Sequence, residues 1–421
     1  MNREPGRTAA PGHSAACSIE HFASEELLPV IREVFPEEIA SAPAFPAGRE
    51  VRKYWEVAMS VRALRELGAL RPDSRILGVG AGAEPTTFFL TKHAGEVVAT
   101  DLYLGAGAWE GDARPAMLVA PGSCTRADFR PERLTVRHMD ARVLQFPDES
   151  FDGIFSSSSI EHFGSDEEIA AAAYEMGRVL KPGGVLALTT ELLVMGPSGA
   201  KGWPGCRLFA EADLRRLVVE ASGLELVGDL DLGVSPATLE APRNLAAVLE
   251  GWHAGRGLEM PHLVLVSEGQ VFTSVQLALT KRATYPSSDN SWAAPTPTLR
   301  DAVRREAEAT AARVLRALQA GRGTNCEPTD ALPVGLSDDG SMPSLAEAWD
   351  AWDAVRARTA LTAAATGPAW SRGLAFAKRT AQRLRDLGII WDRERDLLRA
   401  LMVRIDALER RLDEVSRRGT D

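Results

Sequence analysis

The chain has 421 residues, of which 45% are hydrophobic and 25% charged, enough to bury one good core with length left over for roughly one more small domain. A net charge of −10 disfavours nonspecific nucleic-acid binding over the whole surface, although it leaves room for a local basic patch. No run of about eighteen apolar residues exists, the first residues lack a signal-peptide core, and the four cysteines (Cys17, Cys124, Cys206 and Cys326) lie far apart without metal spacing; a cytoplasmic, soluble, zinc-free protein is expected.

Residues 1 to about 20 are rich in Ala, Gly and Pro and are expected to be unstructured. The stretch Ser24 to Phe35 reads as a short capped helix, and Ala47 to Leu67 as a longer one. The second carries Tyr54 and Trp55 just upstream of a glycine-rich loop, where core packing is the first reading and ligand contact the second.

Ile76, Leu77 and Val79 form a short apolar run that stops at Gly78, Gly80 and Gly82, and Pro85-Thr-Thr-Phe-Phe-Leu90 reads as a helix start. This is strand, tight turn, helix. Glycines let a backbone approach a ligand closely, and a second apolar strand then delivers Asp101, whose carboxylate can accept both hydroxyls of a ribose. A nucleoside-binding crevice follows. The loop alone fits two cofactors, because Gly78-x-Gly80-x-x-Ala83 also matches a dinucleotide fingerprint.

After Tyr103 a Gly- and Ala-rich segment runs to about Pro131, with Trp109, Asp112 and Met117 as residues of a candidate lid or of a surface excursion. Leu134 to Met139 reads as a third strand ending at Asp140-Ala141-Arg142. Asp152 opens a fourth, which runs on through Gly-Ile-Phe-Ser-Ser-Ser-Ser towards Ile160-Glu161-His162, followed by a helix to Leu180, the turn Lys181-Pro-Gly-Gly184 and the apolar strand Val185 to Thr190. Strands alternating with helices imply a parallel, doubly wound α/β sheet.

The order of these pieces resembles class I S-adenosylmethionine (SAM) methyltransferases. Leu77 to Glu84 is similar to that family's first motif, with Gly78 where the family usually has an acidic residue and Glu84 where it often has its last glycine. Glu84 then either supplies the missing charge to the methionine amino group or is a first-turn helix acid. The resemblance covers roughly residues 47 to 283 and implies a Rossmann-like seven-stranded sheet. It further implies that Asp140 reads the adenine amino group, and that Gly78, Gly80, Ala81, Gly82, Glu84, Asp101, Leu102, Ala141 and Ser156 complete the contacts to SAM. Gly-Ala-Gly-Ala-Glu-Pro, Ala-Thr-Asp-Leu-Tyr and Ser-Ser-Ile-Glu-His-Phe together look like bacterial methyltransferases encoded among glycosyltransferases in surface-glycan clusters.

Downstream, Leu208 to Leu217 reads as a helix, Gly223 to Val227 as a strand and Val271 to Thr280 as a last, antiparallel strand. Between them lie Trp252, His253 and His262, a candidate acceptor-side insertion. Pro, Ser and Asn from Ala283 to Thr298 mark a domain boundary, and a helix from Leu299 to about Ala320 follows. The expected organisation is an N-terminal arm with a short helix (1–46), the nucleoside-binding domain (47–283), a linker with one helix (284–342) and a helical region (343–421). In the last, Trp391, Leu398, Ile405 and Leu412 recur every seven residues with Leu401, Leu408 and Val415 interleaved, the seam of a short coiled coil. Residues 368–421 hold 13 Lys and Arg against 9 Asp and Glu, or +4. Self-association is the expected role; Lys378, Arg379, Arg383 and Arg385 also suit an anionic membrane surface, and contact with a glycosyltransferase complex is a further option.

Methyl transfer from a sulfonium is an in-line displacement, so the protein has to align the reactants and exclude water, and no metal is required. A hydroxyl acceptor, on a small molecule or a glycan with a sugar foremost, calls for a base. His162 and Glu161, just past the fourth strand, are the candidates. Two other functions stand beside this one: a noncatalytic SAM-binding scaffold acting through the helical tail, and an NAD-dependent sugar oxidoreductase, which would need a Tyr-x-x-x-Lys pair after the fourth strand that is absent here.

Overall fold

Thirteen strands lie among the described residues, the central parallel ones as near-continuous buried runs: β1 Ser14–Ala16, β2 Arg75–Val79, β3 Glu96–Asp101, β4 Leu134–His138, β5 Phe151–Ser157, β6 Leu180–Met195, β7 Lys201–Trp203, β8 Cys206–Arg207, β9 Glu225–Leu226, β10 Leu230–Asp231, β11 Arg243–Asn244, β12 Val264–Ser267 and β13 Gln270–Thr280. The computed structural model describes residues 11–104, 113, 116–197, 201–203, 205–253, 257–282 and 290–320. They fall into two units, one of the described residues up to Tyr103 and from Thr125 to Thr296, the other of those between Leu104 and Cys124 and from Pro297 onward. Trp109, Asp112, the heptad residues 391–415 and the basic residues 378–385 lie outside the described residues. In the second unit, Met117 belongs to a single helical turn, Ala116–Val119, and the linker helix spans Pro297–Ala320. No helix among the described residues is long and apolar enough to cross a membrane.

In the first unit β4, β3, β2, β5 and β6 run parallel in that order, and β13 lies antiparallel beside β6. The two faces are read from the pleat. Leu77, Val79, Ile154, Leu186, Leu188, Val275 and Leu277 pack with Ile169, Ala173 and Met176 of the helix Asp166–Val179. Their alternate neighbours meet the helix Arg52–Glu66: a Cβ on Gly153 would lie 2.9 Å from both Ile76 and Leu64, and Ser60 Oγ donates to Gln276 Oε1 at 3.4 Å. Helices on both faces make the sheet doubly wound. Ser165 and Glu168 close a capping box at the start of the Asp166–Val179 helix.

The sheet is larger than the seven strands expected. β13 is 11 residues long, and its outer edge is shared by β9, β1 and β12. An open edge of that length would template pairing with another chain, and three short strands cover it. One of them, β1, comes from the stretch expected to be unstructured: Ala15 and Ala16 pair with Gln276 and Val275. The compact unit therefore runs across the boundary expected between residues 46 and 47. It also runs past residue 283, since Asn290 Nδ2 donates to the Ala221 carbonyl at 3.0 Å.

Local differences have local causes. The first helix spans Leu27–Val34, with Ser24 Oγ accepting from Leu27 N at 3.1 Å, and it buries Leu27, Val30, Ile31 and Val34, one helical stripe. The second begins at Arg52, not at Ala47, because Val51 pairs with His262 in an isolated bridge. Phe209 bridges Leu192, so the helix there begins at Glu211 rather than at Leu208. Tyr54 packs edge-on against Phe35 and Phe45, and the fully buried Trp55 donates through Nε1 to His21 Nδ1 at 3.0 Å; both serve the core.

Candidate active site

The glycine loop leaves β2 with no room for side chains. A Cβ on Gly78 would lie 2.5 Å from Phe155 Cζ and 2.8 Å from Ala81 Cβ, and one on Gly80 (φ +61°) 2.6 Å from the Ser159 side chain. Phe155 thus fills the space beside residue 78 where the resembled family carries its acid. The loop is held by Ala81 N donating to Thr100 O at 3.0 Å, Thr100 Oγ1 to Gly78 O at 2.7 Å and Tyr103 Oη to Gly82 O at 2.9 Å. Asp101, at the tip of β3, accepts from Gly82 N at 2.8 Å through one oxygen and from Leu102 N at 2.6 Å through the other. The acid expected to read a ribose is therefore tied to the glycine loop, and Leu102 beside it is exposed, as few large apolar residues are among the described residues.

Beyond β4, Asp140 accepts from Arg142 Nη2 at 2.7 Å and Nε at 3.0 Å, and Arg142 also reaches Glu168. Asp140 is aimed by this arginine. Ala141 is buried in the main apolar cluster, and Ser156 Oγ lies 2.8 Å from Ser159 Oγ at the end of β5.

The charged part of the crevice comes from elements far apart in sequence. Lys53 Nζ lies 2.8 Å from Glu56 Oε2 and 3.2 Å from Glu84 Oε1, joining the helix Arg52–Glu66 to the glycine loop. Arg52 pairs with Glu191 of β6, and Ser158 and Ser274 both donate to Glu56. Glu161, 1% exposed in a short 3-10 turn after β5, accepts from Thr190 Oγ1 at 2.8 Å through Oε2, while its Oε1 has no hydrogen-bond partner. His162 Nδ1 faces the Gly205 carbonyl at 3.0 Å, so that nitrogen donates, and Nε2 lies 3.9 Å from Glu161 Oε1. Glu161 and His162 face different elements, as neighbours on a tight turn do.

Burial dominates the titration of these groups. It pushes Glu161 up to about 8, with the Glu191 and Glu56 charges adding to it, and pushes His162 down to about 4, helped by Lys53 and Arg52 against the Gly205 carbonyl. Burial also raises Glu84, only partly offset by Lys53. Burial alone would raise Glu56 as well, but Lys53 and Arg52 outweigh it and its pKa is lowered. His262, from the insertion, is buried; its backbone accepts from Arg52 N at 3.0 Å.

These residues fit a sulfonium nucleoside with a methionine tail. The glycine loop offers a close backbone approach, and Glu84 Oε2 is a buried carboxylate oxygen without a partner, a group that costs free energy until a donor meets it. Arg52, Lys53, Glu56, Thr190 and Glu191 were not among the residues picked from the sequence. The signal for three of them was present: Arg52, Lys53 and Glu56 share one helix turn that is otherwise apolar.

Residues 77–188 match the family model described as a methyltransferase domain. Among curated proteins, 27-O-demethylrifamycin SV methyltransferase of Amycolatopsis mediterranei (strain S699) is 31% identical over 163 residues, covering 38% of this chain and 51% of that protein; the chain thus spans about half of that relative's length. Among solved structures, YcgJ of Bacillus subtilis (TM-score 0.33, 16% identity, 53% of this chain and 98% of that one) is similar in fold. So is geranyl diphosphate C-methyltransferase of Streptomyces coelicolor A3(2) (TM-score 0.34, 15% identity, 54% and 79%). The glycine loop and the strands β3 to β6 as far as Leu188 thus lie within the segment that is similar to a methyltransferase domain, and S-adenosylmethionine is the cofactor that this similarity implies.

Proposed function

We propose that the chain transfers the methyl group of S-adenosylmethionine to a hydroxyl on a small-molecule or glycan acceptor, a sugar hydroxyl foremost. The observation that carries this is Glu161: a buried carboxyl past the tip of β5, with one oxygen on Thr190 and the other unpartnered. Open α/β sheets place their ligands at these strand tips. When bound, the cofactor would supply an electrophilic methyl on a sulfonium, the sulfur keeping the electron pair of the sulfur–carbon bond as the acceptor oxygen takes the methyl.

The chain's residues then have three tasks. Glu161 takes the hydroxyl proton, and its raised pKa, near 8, makes it a stronger base than His162 at about 4. Glu84 Oε2 accepts from the cofactor's ammonium in place of the acid missing at 78. Asp101, Leu102 and Asp140 orient the ribose and adenine, with Gly80, Ala81 and Gly82 as backbone floor and Ser156 behind it. The name of the Amycolatopsis relative describes a methyltransferase of an O-demethylated small molecule, which agrees with a hydroxyl acceptor.

The test is methyl transfer from labelled S-adenosylmethionine by the full chain across a panel of sugars and other hydroxyl compounds, in wild type and Glu161→Gln. O-methylated product lost in the variant supports the reading. Transfer to amines alone, or undiminished turnover in Glu161→Gln, overturns it.

A further inference from the structure

Four carboxylates (Glu56, Glu84, Glu161 and Glu191) share a largely buried cluster with two cations, Arg52 and Lys53, and they are not equally provided for. Glu191 has Arg52. Glu56 has Lys53 at 2.8 Å and the hydroxyls of Ser158 and Ser274. Glu84 has Lys53 at 3.2 Å on Oε1 and, among the described residues, no hydrogen-bond partner on the buried Oε2. Lys53 is therefore shared between a carboxylate that also accepts from two hydroxyls and one that has only the Ser157 hydroxyl beside it.

We propose that Lys53 is the positioning residue that keeps Glu84 ionised and holds its Oε1, leaving Oε2 to the cofactor, so that affinity for the cofactor's α-ammonium depends on a lysine that does not itself hold the cofactor. This rests on the reading of Glu84 as the ammonium anchor. The charged groups facing Glu84 are Lys53 and Glu56, both from the Arg52–Glu66 helix, while the β5 side presents the neutral Ser157. Taking Lys53 away leaves Glu84 beside Glu56 with no cation between them. Of the two, Glu84 takes up the proton, because Glu56 retains two hydroxyl donors and lies within the field of Arg52. A protonated Glu84 no longer attracts an ammonium, so loss of Lys53 weakens cofactor binding most at low pH and least at high pH.

The experiment is calorimetric titration of the full chain with S-adenosylhomocysteine between about pH 6 and pH 8.5, where each unit of displaced pKa is worth about a tenfold change in the ionised fraction. Lys53→Met should bind about tenfold more weakly than wild type at the acidic end, with the gap closing towards the basic end, and Lys53→Arg should restore both affinity and profile. Glu84→Gln should bind weakly with a flat profile. A Lys53→Met deficit that is absent, or the same at every pH, overturns the proposal. The arms separate the two readings: wild-type affinity in Glu84→Gln sinks the anchor itself, whereas a weak Glu84→Gln with an unaffected Lys53→Met sinks only the role of the lysine. Should Lys53→Met not fold, Lys53→Gln carries the same comparison.

Discussion

The ring of Phe155 stands where a side chain on residue 78 would go: a Cβ built on Gly78 would approach its Cζ to 2.5 Å. Strand β2 and strand β5 are neighbours with Gly78 paired to Phe155, so the clash cannot be relieved without moving a core strand. Gly78→Ala is expected to cost about 1–3 kcal/mol of stability through overpacking, read from urea denaturation midpoints. Gly78→Asp, which writes the resembled family's acid back in, should cost more and should not raise affinity for S-adenosylhomocysteine.

Removal of the base separates the two adjacent candidates. Glu161→Gln should lower turnover by about 100-fold or more, the usual scale of general base catalysis, while His162→Ala stays within about tenfold of wild type. In wild type the rate should climb with pH towards about 8, the pKa of Glu161, with no limb near 4 where His162 titrates. A rate unchanged in Glu161→Gln and abolished in His162→Ala would reverse the assignment.

The same carboxyl makes stability depend on pH. The folded pKa of Glu161 is raised, so its stabilising contribution is fully present below the ordinary carboxylate range and is lost as pH rises through about 8. Thermal melts of wild type should therefore fall in midpoint across that window, and Glu161→Gln should flatten the fall. Parallel curves for the two proteins would remove Glu161 as the cause.

Arg52 and Glu191 form a buried pair, 15% and 2% exposed in their side chains. Arg52→Met alone leaves Glu191 unpaired and should cost about 3–5 kcal/mol, whereas Arg52→Met with Glu191→Leu should recover most of the loss. Denaturant titrations of the four proteins in a double-mutant cycle measure the coupling, and additive losses would contradict the pairing.

Asp101 ties the tip of β3 to the glycine loop through Gly82 N. Asp101→Ala leaves that amide without its acceptor and should weaken S-adenosylhomocysteine binding by about tenfold or more, the scale of a lost charge-assisted hydrogen bond, as measured by calorimetry.

Much of this protein follows from short-range pattern. The apolar run Ile76 to Val79 ending in glycines, Asp101 at the end of the next strand, Asp152 at the start of a later one and the Ser165/Glu168 cap are each set by a few adjacent residues, since strand alternation, tight turns and helix caps are local physics. Glu161 and His162 could be placed at a strand tip for the same reason, but not told apart. Only the tertiary structure decided that one points to Thr190 and the other to Gly205, that Lys53 meets a loop 31 residues away, that Arg52 meets a strand residue 139 away, and that Ala15 closes a sheet edge against Gln276. Those pairings depend on which buried charge and which strand edge is left without a partner once the chain has closed on itself, and no window of local sequence contains both members.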